Sequence, residues 1–237
     1  MNKEEICTNC VEIEVPSNIT DHELIFSYQF SQYIQGYVRA TIEARVQTVE
    51  VSQEFISRRI DEVLEQFYEM IEPELIEIRD NPPVNANKNV FTFSDTMFLS
   101  KANDYTRVIS TKFGNTLEKI AQISPKCFST EAEFSMKLKG VDLIILDANE
   151  LVYTQLKTQK NTLTAGKTGS VIKELSVFEN SMFVACLDLA SWTFSPRGSE
   201  VIRVSGEEFW SRIDIPYETL CSKIKDLFGR IENILAT

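Results

Sequence analysis

The spacing of apolar residues changes along the chain, and each change predicts a different kind of element. From about residue 21 to residue 80 there are few Gly or Pro residues, and apolar positions recur at intervals of three and four. This spacing predicts two or three amphipathic helices. Pro73 is expected to interrupt the last helix, because proline has no N–H to donate. The prolines and asparagines of residues 81–87 predict a loop and a module boundary near residue 85.

Beyond that loop the pattern is typical of a mixed α/β unit. Residues 105–123 and 217–235 have helical spacing. The alternation of Phe134, Met136 and Leu138, the apolar run at 141–146 and residues 151–158, 181–189 and 200–205 predict strands. The predicted order is helix, hairpin, helix or loop, strand, strand, helix. We therefore expect an α/β fold, with a mixed sheet flanked by helices at 86–237 and a mostly helical region at 1–85.

A predicted hairpin brings three polar side chains to one face. Residues 147–150 have the composition and length of a turn between two strands. If Leu146 and Leu151 are opposed partners, the antiparallel register places Asp142 opposite Gln155. Lys157 lies two residues further along the same face, and opposed Cβ atoms lie about 5 Å apart. The hairpin is therefore expected to present an acid, an amide and an ammonium group to one cleft.

These side chains suit metal-assisted hydrolysis of a phosphodiester bond. Mg²⁺ prefers carboxylate, carbonyl and water oxygens, so Asp142 is the expected main ligand and Gln155 a second one. Lys157 is expected to orient the attacking water or help deprotonate it, and to stabilise charge on the phosphoryl group. Glu118, at the edge of the apolar face of the preceding helix, is the expected fourth member and a further metal ligand.

At these residues the chain resembles the PD-(D/E)xK nuclease superfamily, and type II restriction endonucleases in particular. The motif is Lys-Gly-Val-Asp142 followed by Gln155-Leu-Lys157-Thr, with Gln155 in place of the last acid. Residues 114–118, 157–162 and 206–210 extend the resemblance over roughly 105–215. It implies a restriction-endonuclease-like core, Mg²⁺-dependent and sequence-specific cleavage of double-stranded DNA, and a homodimer on a palindromic target. It also implies a DNA methyltransferase that protects host sites, as a functional partner.

The net charge of −11 at first argues against nucleic acid, but the excess lies at one end. Residues 1–80 contain 17 acidic and 6 basic side chains, so residues 81–237 contain 18 of each. The acidic helices are expected to face away from DNA, as a solvated face rather than a surface for an acidic partner, and to serve in dimerisation or DNA enclosure. DNA contacts are expected after the hairpin, where Asn161 matches adenine and Arg197 matches guanine. The expected contact residues are Lys160, Asn161, Thr162, Lys167 and Arg197.

Other classes of protein fit the sequence poorly. With 43% hydrophobic and 25% charged residues it is a globular chain, and it lacks a membrane-length apolar run or a signal-peptide pattern, so we expect a cytoplasmic protein. Cys7 and Cys10 have zinc-knuckle spacing, but no second pair follows, and the single His22 disfavours hydrolase triads. Two alternatives stay open: a repair or recombination nuclease with the same core, and a DNA-binding or interaction protein without catalysis.

Overall fold

A computed structural model describes residues 1–48, 52–81, 90–94 and 96–236. Backbone contacts divide the chain into two compact units. The first consists of Met1–Gln53 and Ala121–Tyr217, and the second of Glu54–Ile120 and Glu218–Thr237. Each unit therefore combines segments that are distant in the sequence. The predicted module boundary near residue 85 lies outside the described residues.

The described elements alternate between helices and strands in the second half of the chain. The helices are α1 (Lys3–Asn9), α2 (His22–Thr48), α3 (Gln53–Asp80), α4 (Val90–Phe93), α5 (Met97–Ala121), α6 (Thr130–Phe134), α7 (Thr168–Leu175), α8 (Glu207–Arg212) and α9 (Tyr217–Ala236). The strands are β1 (Cys127–Phe128), β2 (Leu143–Asp147), β3 (Glu150–Gln159), β4 (Ser181–Leu187) and β5 (Ile202–Ser205). Single 3₁₀ turns lie at Cys10–Glu12 and Ala165–Lys167.

The first unit is built on a five-stranded mixed sheet, which confirms the predicted α/β class. The strands lie in the order β1-β2-β3-β4-β5, and the pairs β1/β2 and β2/β3 are antiparallel. The pairs β3/β4 and β4/β5 are parallel, and α7 lies between β3 and β4 in the sequence. The predicted order of hairpin, helix, strand, strand and closing helix is therefore confirmed.

Helix α2 packs in the same core as the sheet. Its buried residues Phe30, Ile34, Val38 and Ile42 recur every four positions, so they lie on one face of the helix. They belong to the same hydrophobic cluster as buried residues of the strands. Burying an aliphatic or phenyl side chain of this kind stabilises the fold by roughly 1.5–3 kcal/mol. Helix α2 therefore supports the hairpin.

The second unit contains α3, α5 and α9. The rings of Phe67, Phe113 and Phe228 form its centre, with ring centroids 5.5 Å and 5.2 Å apart and edge-to-face geometry. Arg230 of α9 forms a bidentate ion pair with Glu65 of α3, at 2.6 Å and 2.9 Å. None of the described helices is both long and apolar enough to cross a membrane.

The prediction that Pro73 interrupts a helix is wrong. Helix α3 runs without a break from Gln53 to Asp80 with Pro73 inside it. Pro73 is exposed, and so is Glu69, whose carbonyl oxygen loses its helical hydrogen bond. Water can replace that bond on the exposed side. Ile71 and Leu75 remain fully buried on the other side and hold the helix in register.

The alternating segment before the hairpin is also not a strand. Phe134 ends α6, whose first turn is capped by Ser129, and Ser135 follows in the left-handed conformation with φ 54°. Only Leu138 forms an isolated bridge, with Val141. The cap at Ser129 and the turn at Ser135 determine the local structure here, so the alternation of apolar residues does not indicate a strand.

Candidate functional site

The register of the β2–β3 hairpin is the predicted one. Leu146 pairs with Leu151, and Asp147 pairs with Glu150. The two residues between them, Ala148 and Asn149, both have positive φ values, 45° and 68°. Such a two-residue turn matches the twist of the flanking strands, which explains why no residue is inserted and the register holds along the hairpin.

Asp142 lies at the open end of this hairpin, which is the end away from the turn. Its backbone and its side chain both form hydrogen bonds with β3 there. Its N–H donates to the carbonyl oxygen of Thr154 at 2.8 Å. Its side-chain oxygen Oδ2 accepts the N–H of Leu156 at 2.7 Å. The carboxylate is therefore fixed by the backbone of β3 through one oxygen, and its orientation does not depend on a flexible side-chain partner.

Asp142 is largely buried, and charged side chains act on its carboxylate. Burial raises the pKa of Asp142 above its ordinary value, while the charge of Lys157 and the N–H of Leu156 act in the opposite direction. A buried carboxylate whose pKa is shifted by burial and by the charges around it is a common feature of catalytic sites.

Gln155 supplies a polar atom that lacks a partner. The residue is only 9% exposed, and its Oε1 accepts no hydrogen bond from the residues that the structure describes. An unpaired buried acceptor costs about 1–3 kcal/mol of stability. The cost is removed when a ligand supplies a donor or a cation. A carboxylate together with an amide oxygen that has no hydrogen-bond partner suits a hard cation such as Mg²⁺, which prefers oxygen ligands.

Asp142 and Gln155 lie in a cleft of about 710 Å³. Its walls come from the start of α2, the turn before β2, the open end of the hairpin and α7. The lining residues are His22, Glu23, Phe26, Ser27, Lys137, Leu138, Lys139, Gly140, Val141, Asp142, Gln155 and Glu174. The sequence predicted one cleft lined by Asp142, Gln155 and Lys157, and the structure places Asp142 and Gln155 among the residues that line this one. Lys157 is half-buried, and it is not among the residues that line the cleft.

Glu174 is a cleft residue that the sequence reasoning did not identify. It lies on α7, and its Oε1 accepts a hydrogen bond from Ser170 at 3.1 Å. A Cβ atom added to Gly140, whose φ is +76°, would lie 2.7 Å from the Cβ of Glu174. Glycine at position 140 therefore allows both the left-handed turn and the close approach of α7. The one sequence signal was the glycine two residues before Asp142.

Glu118 lies on α5, in the second unit, and is half-buried. Glu118 already has an interaction partner within the part of the chain that the structure describes. Its predicted participation as a catalytic residue and metal ligand stays a prediction. Glu174 now offers a second carboxylate within the same unit as Asp142, so the two acids are competing candidates for the same role.

Lys160, which is predicted to contact DNA, already forms an ion pair within the protein. Its ammonium group forms an ion pair with Asp188, and the hydrogen bond from Lys160 lowers the pKa of Asp188. The ammonium nitrogen also lies 5.8 Å from the centre of the Trp192 ring, and the side chain is only 18% exposed. A phosphate contact by Lys160 therefore requires the ion pair with Asp188 to open.

The other predicted DNA contacts lie on exposed segments of the first unit. Asn161 accepts a hydrogen bond from the side chain of Gln159 at 2.7 Å, and the Thr162 hydroxyl donates to the Gln159 carbonyl oxygen at 2.7 Å. These bonds close the tight turn that follows β3. Lys167 and Arg197 are exposed, the first in the 3₁₀ turn before α7 and the second between β4 and β5. Their roles in DNA contact stay predictions.

The five cysteines and the single histidine do not gather into a metal centre. Within the described ranges, no group of three or more His, Cys, Asp and Glu side chains is placed to hold a metal ion. Cys7 is exposed and Cys10 is buried. Any cation at the hairpin therefore needs the amide oxygen of Gln155, or water and substrate oxygens, in addition to carboxylates.

Comparison of the chain with protein-family models and with curated proteins gives no match. The geometry of the cleft is therefore the basis for proposing a function.

Proposed function

We propose that this chain is a type II restriction endonuclease, which hydrolyses phosphodiester bonds in double-stranded DNA at a specific sequence with Mg²⁺ as cofactor. The observation that carries the proposal is the open end of the hairpin. There the register brings Asp142 and Gln155 into one cleft, and the Oε1 atom of Gln155 is buried without a hydrogen-bond partner. The order of elements around the hairpin and its mixed sheet support a restriction-endonuclease-like core.

Each residue has a role that follows from its contacts. Asp142 would hold the cation through the oxygen that Leu156 does not occupy, and Gln155 would hold it through Oε1. The third protein oxygen would come from Glu174 or from the predicted Glu118. When bound, Mg²⁺ lowers the pKa of a water molecule and neutralises charge on a phosphate oxygen. The ammonium group of Lys157 orients the attacking water and stabilises negative charge that develops on the phosphoryl group.

The experiment is digestion of a fully sequenced plasmid with the purified chain in Mg²⁺, followed by mapping of the ends. We expect discrete fragments whose ends share one short sequence, and intact plasmid in EDTA. Cuts only at mismatches or branched junctions would instead identify a repair or recombination nuclease. Cleavage that continues in EDTA would contradict the proposed chemistry.

A second candidate function is DNA binding or protein interaction without catalysis. One observation favours it, since the described residues provide no cluster of three conventional metal-ligating side chains. The same digestion distinguishes the two functions. Retarded migration of a DNA duplex together with an intact plasmid after long incubation in Mg²⁺ or Mn²⁺ would support the non-catalytic candidate.

A further inference from the structure

Two lysines line the cleft on the turn that precedes β2. Lys137 and Lys139 lie three to five residues before Asp142, and both belong to the lining of the cleft. The charge of Lys137 acts on the Asp142 carboxylate and lowers its pKa, against the larger effect of burial. The two cations are therefore close to the candidate catalytic group, although neither was among the residues predicted to contact DNA.

Three contacts hold the turn that contains these lysines. The N–H of Val141 donates to the carbonyl oxygen of Leu138 at 3.2 Å, and the N–H of Lys139 donates to the buried hydroxyl of Ser27 at 2.8 Å. Gly140 packs against Glu174, with no room for a larger residue. A backbone held in this way positions both lysines before a ligand arrives, which reduces the entropy lost on binding.

The present partners of both lysines are exposed carboxylates. Lys137 pairs with Glu131 at 2.8 Å, and Lys139 pairs with Glu23 at 2.6 Å. All four side chains are at least 44% exposed to solvent. Exposed ion pairs of this kind contribute little to stability, so a phosphate can replace the carboxylate at small cost. Lys160 differs, because its side chain is 18% exposed and its partner is Asp188.

We propose that Lys137 and Lys139 form a phosphate-binding rim, which holds two backbone phosphates of the DNA strand that enters the cleft beside Asp142 and Gln155. The inference depends on the proposed function for the identity of its ligand. Lysine suits this role because its ammonium group binds phosphate as a point charge without sequence preference. Asp142 and Glu174 line the same cleft, and the cation of the proposed function would offset their repulsion of a phosphate.

The test is a double substitution, Lys137→Gln with Lys139→Gln, compared with a control in which Lys3→Gln and Lys225→Gln remove the same charge from exposed positions outside the cleft. Binding of a labelled duplex is measured by fluorescence anisotropy over a series of salt concentrations, with Ca²⁺ in place of Mg²⁺. We expect the cleft variant to bind about tenfold more weakly, with the log–log salt slope lowered by roughly 1.8, since each lost phosphate contact removes about 0.9. The control is expected to keep the wild-type slope.

A slope in the cleft variant equal to that of the control would overturn the inference. If the double variant does not fold, as judged by circular dichroism, each single substitution is expected to lower the slope by roughly 0.9. The variant with Arg at both positions is expected to retain binding. Lysine-dependent binding by a chain that never cuts DNA would support the phosphate-binding rim and reject the proposed catalysis. Cleavage together with an unchanged slope would reject the rim and retain the catalysis.

Discussion

The polar side chains at the two ends of the β2–β3 hairpin differ in the partners that they have within the protein. At the turn end, Asp147 pairs with Arg212, and a second nitrogen of Arg212 donates to Glu208 at 2.9 Å. At the open end, one oxygen of Asp142 accepts a backbone N–H, while the Oε1 of Gln155 has no partner among the described residues. Both ends contain partly buried charge, but among the described residues the ion pair of a carboxylate with a guanidinium group lies at the turn end, where Nε of Arg212 is itself buried without a hydrogen-bond partner.

This difference separates a structural network from a candidate site. Polar groups that are buried with their partners stabilise one arrangement of the chain. A buried acceptor without a partner lowers stability, and a ligand that supplies a donor or a cation removes that cost. The comparison therefore assigns stability to the turn end and ligand binding to the open end, and substitutions at the two ends are expected to have different effects.

The largest expected effect is that of Asp142→Asn, which removes the negative charge with little change in shape. We expect single-turnover cleavage of DNA to fall by at least about a thousandfold, because the main cation ligand is lost. Asp147→Asn is the matched control on the same strand, and its activity per folded molecule is expected to stay near that of the wild type. Equal activity of the two variants would remove the distinction between the ends.

The next effect is that of Lys157→Ala. We expect the single-turnover rate to fall by about a hundredfold to a thousandfold, because a positive charge beside the reacting phosphate is lost. Binding of the duplex in Ca²⁺ is expected to change little, since the phosphate-binding rim remains. A normal rate of cleavage by this variant, measured with enzyme in excess, would exclude Lys157 from the chemistry.

Gln155→Glu tests whether a cation binds at the open end. It places a second carboxylate beside Asp142, so like charges repel in the absence of a cation and both favour the cation when it is present. We expect retained cleavage, an altered preference between Mg²⁺ and Mn²⁺, and a larger rise in Tm on adding Mn²⁺ than the wild type shows. Thermal unfolding with and without the ion measures the last effect. A Tm insensitive to Mn²⁺ in both proteins would argue against a cation at this position.

Arg212→Ala tests the turn end. Loss of the guanidinium leaves Asp147 without its partner, and hydrogen bonds to charged groups contribute about 1.5–3 kcal/mol. We expect the free energy of unfolding to fall by roughly 2 kcal/mol in urea titrations, with cleavage per folded molecule unchanged. A stable variant that has lost activity would show that the turn end takes part in function.

The smallest effect is the pH dependence of the stability of Asp142→Asn. Burial raises the pKa of Asp142 in the folded chain, so the folded state binds this proton more tightly than the unfolded state does. The ionised Asp142 carboxylate therefore destabilises the folded chain. This loss of stability develops as the pH rises through the range in which carboxyl groups titrate, and it remains at higher pH. At neutral pH the Asn variant is expected to melt at a higher temperature than the wild type, and the difference is expected to vanish in acid. A variant that melts lower at neutral pH would contradict this sign.

The parts of the structure that depend on local spacing were predictable from the sequence. The register from Leu146 and Leu151 to Asp142 and Gln155 follows from a short turn between two strands. The predicted four-residue turn at 147–150 is shorter in the structure, because Asp147 and Glu150 pair and belong to the strands. The error at Pro73 arose because tolerance of proline depends on which side of the helix faces solvent, which is set by packing between helices.

The rest of the cleft comes from residues far apart in the sequence. His22 and Glu23 of α2 reach the cleft because α2 packs on the sheet, and Glu174 reaches it through contact with Gly140. Lys160 meets Asp188 because β3 and β4 are parallel neighbours, a pairing that joins residues 28 positions apart. No local pattern identifies such contacts.

The central claim is that the open end of the hairpin binds a cation with Asp142 and Gln155. The most direct measurement is anomalous X-ray scattering from crystals grown with a duplex and Mn²⁺. We expect an anomalous peak within coordination distance of a carboxylate oxygen of Asp142 and of the Oε1 of Gln155, and no such peak in crystals of Asp142→Asn. Manganese bound elsewhere in the complex, with Gln155 hydrogen-bonded to protein and no peak at the hairpin, would contradict it.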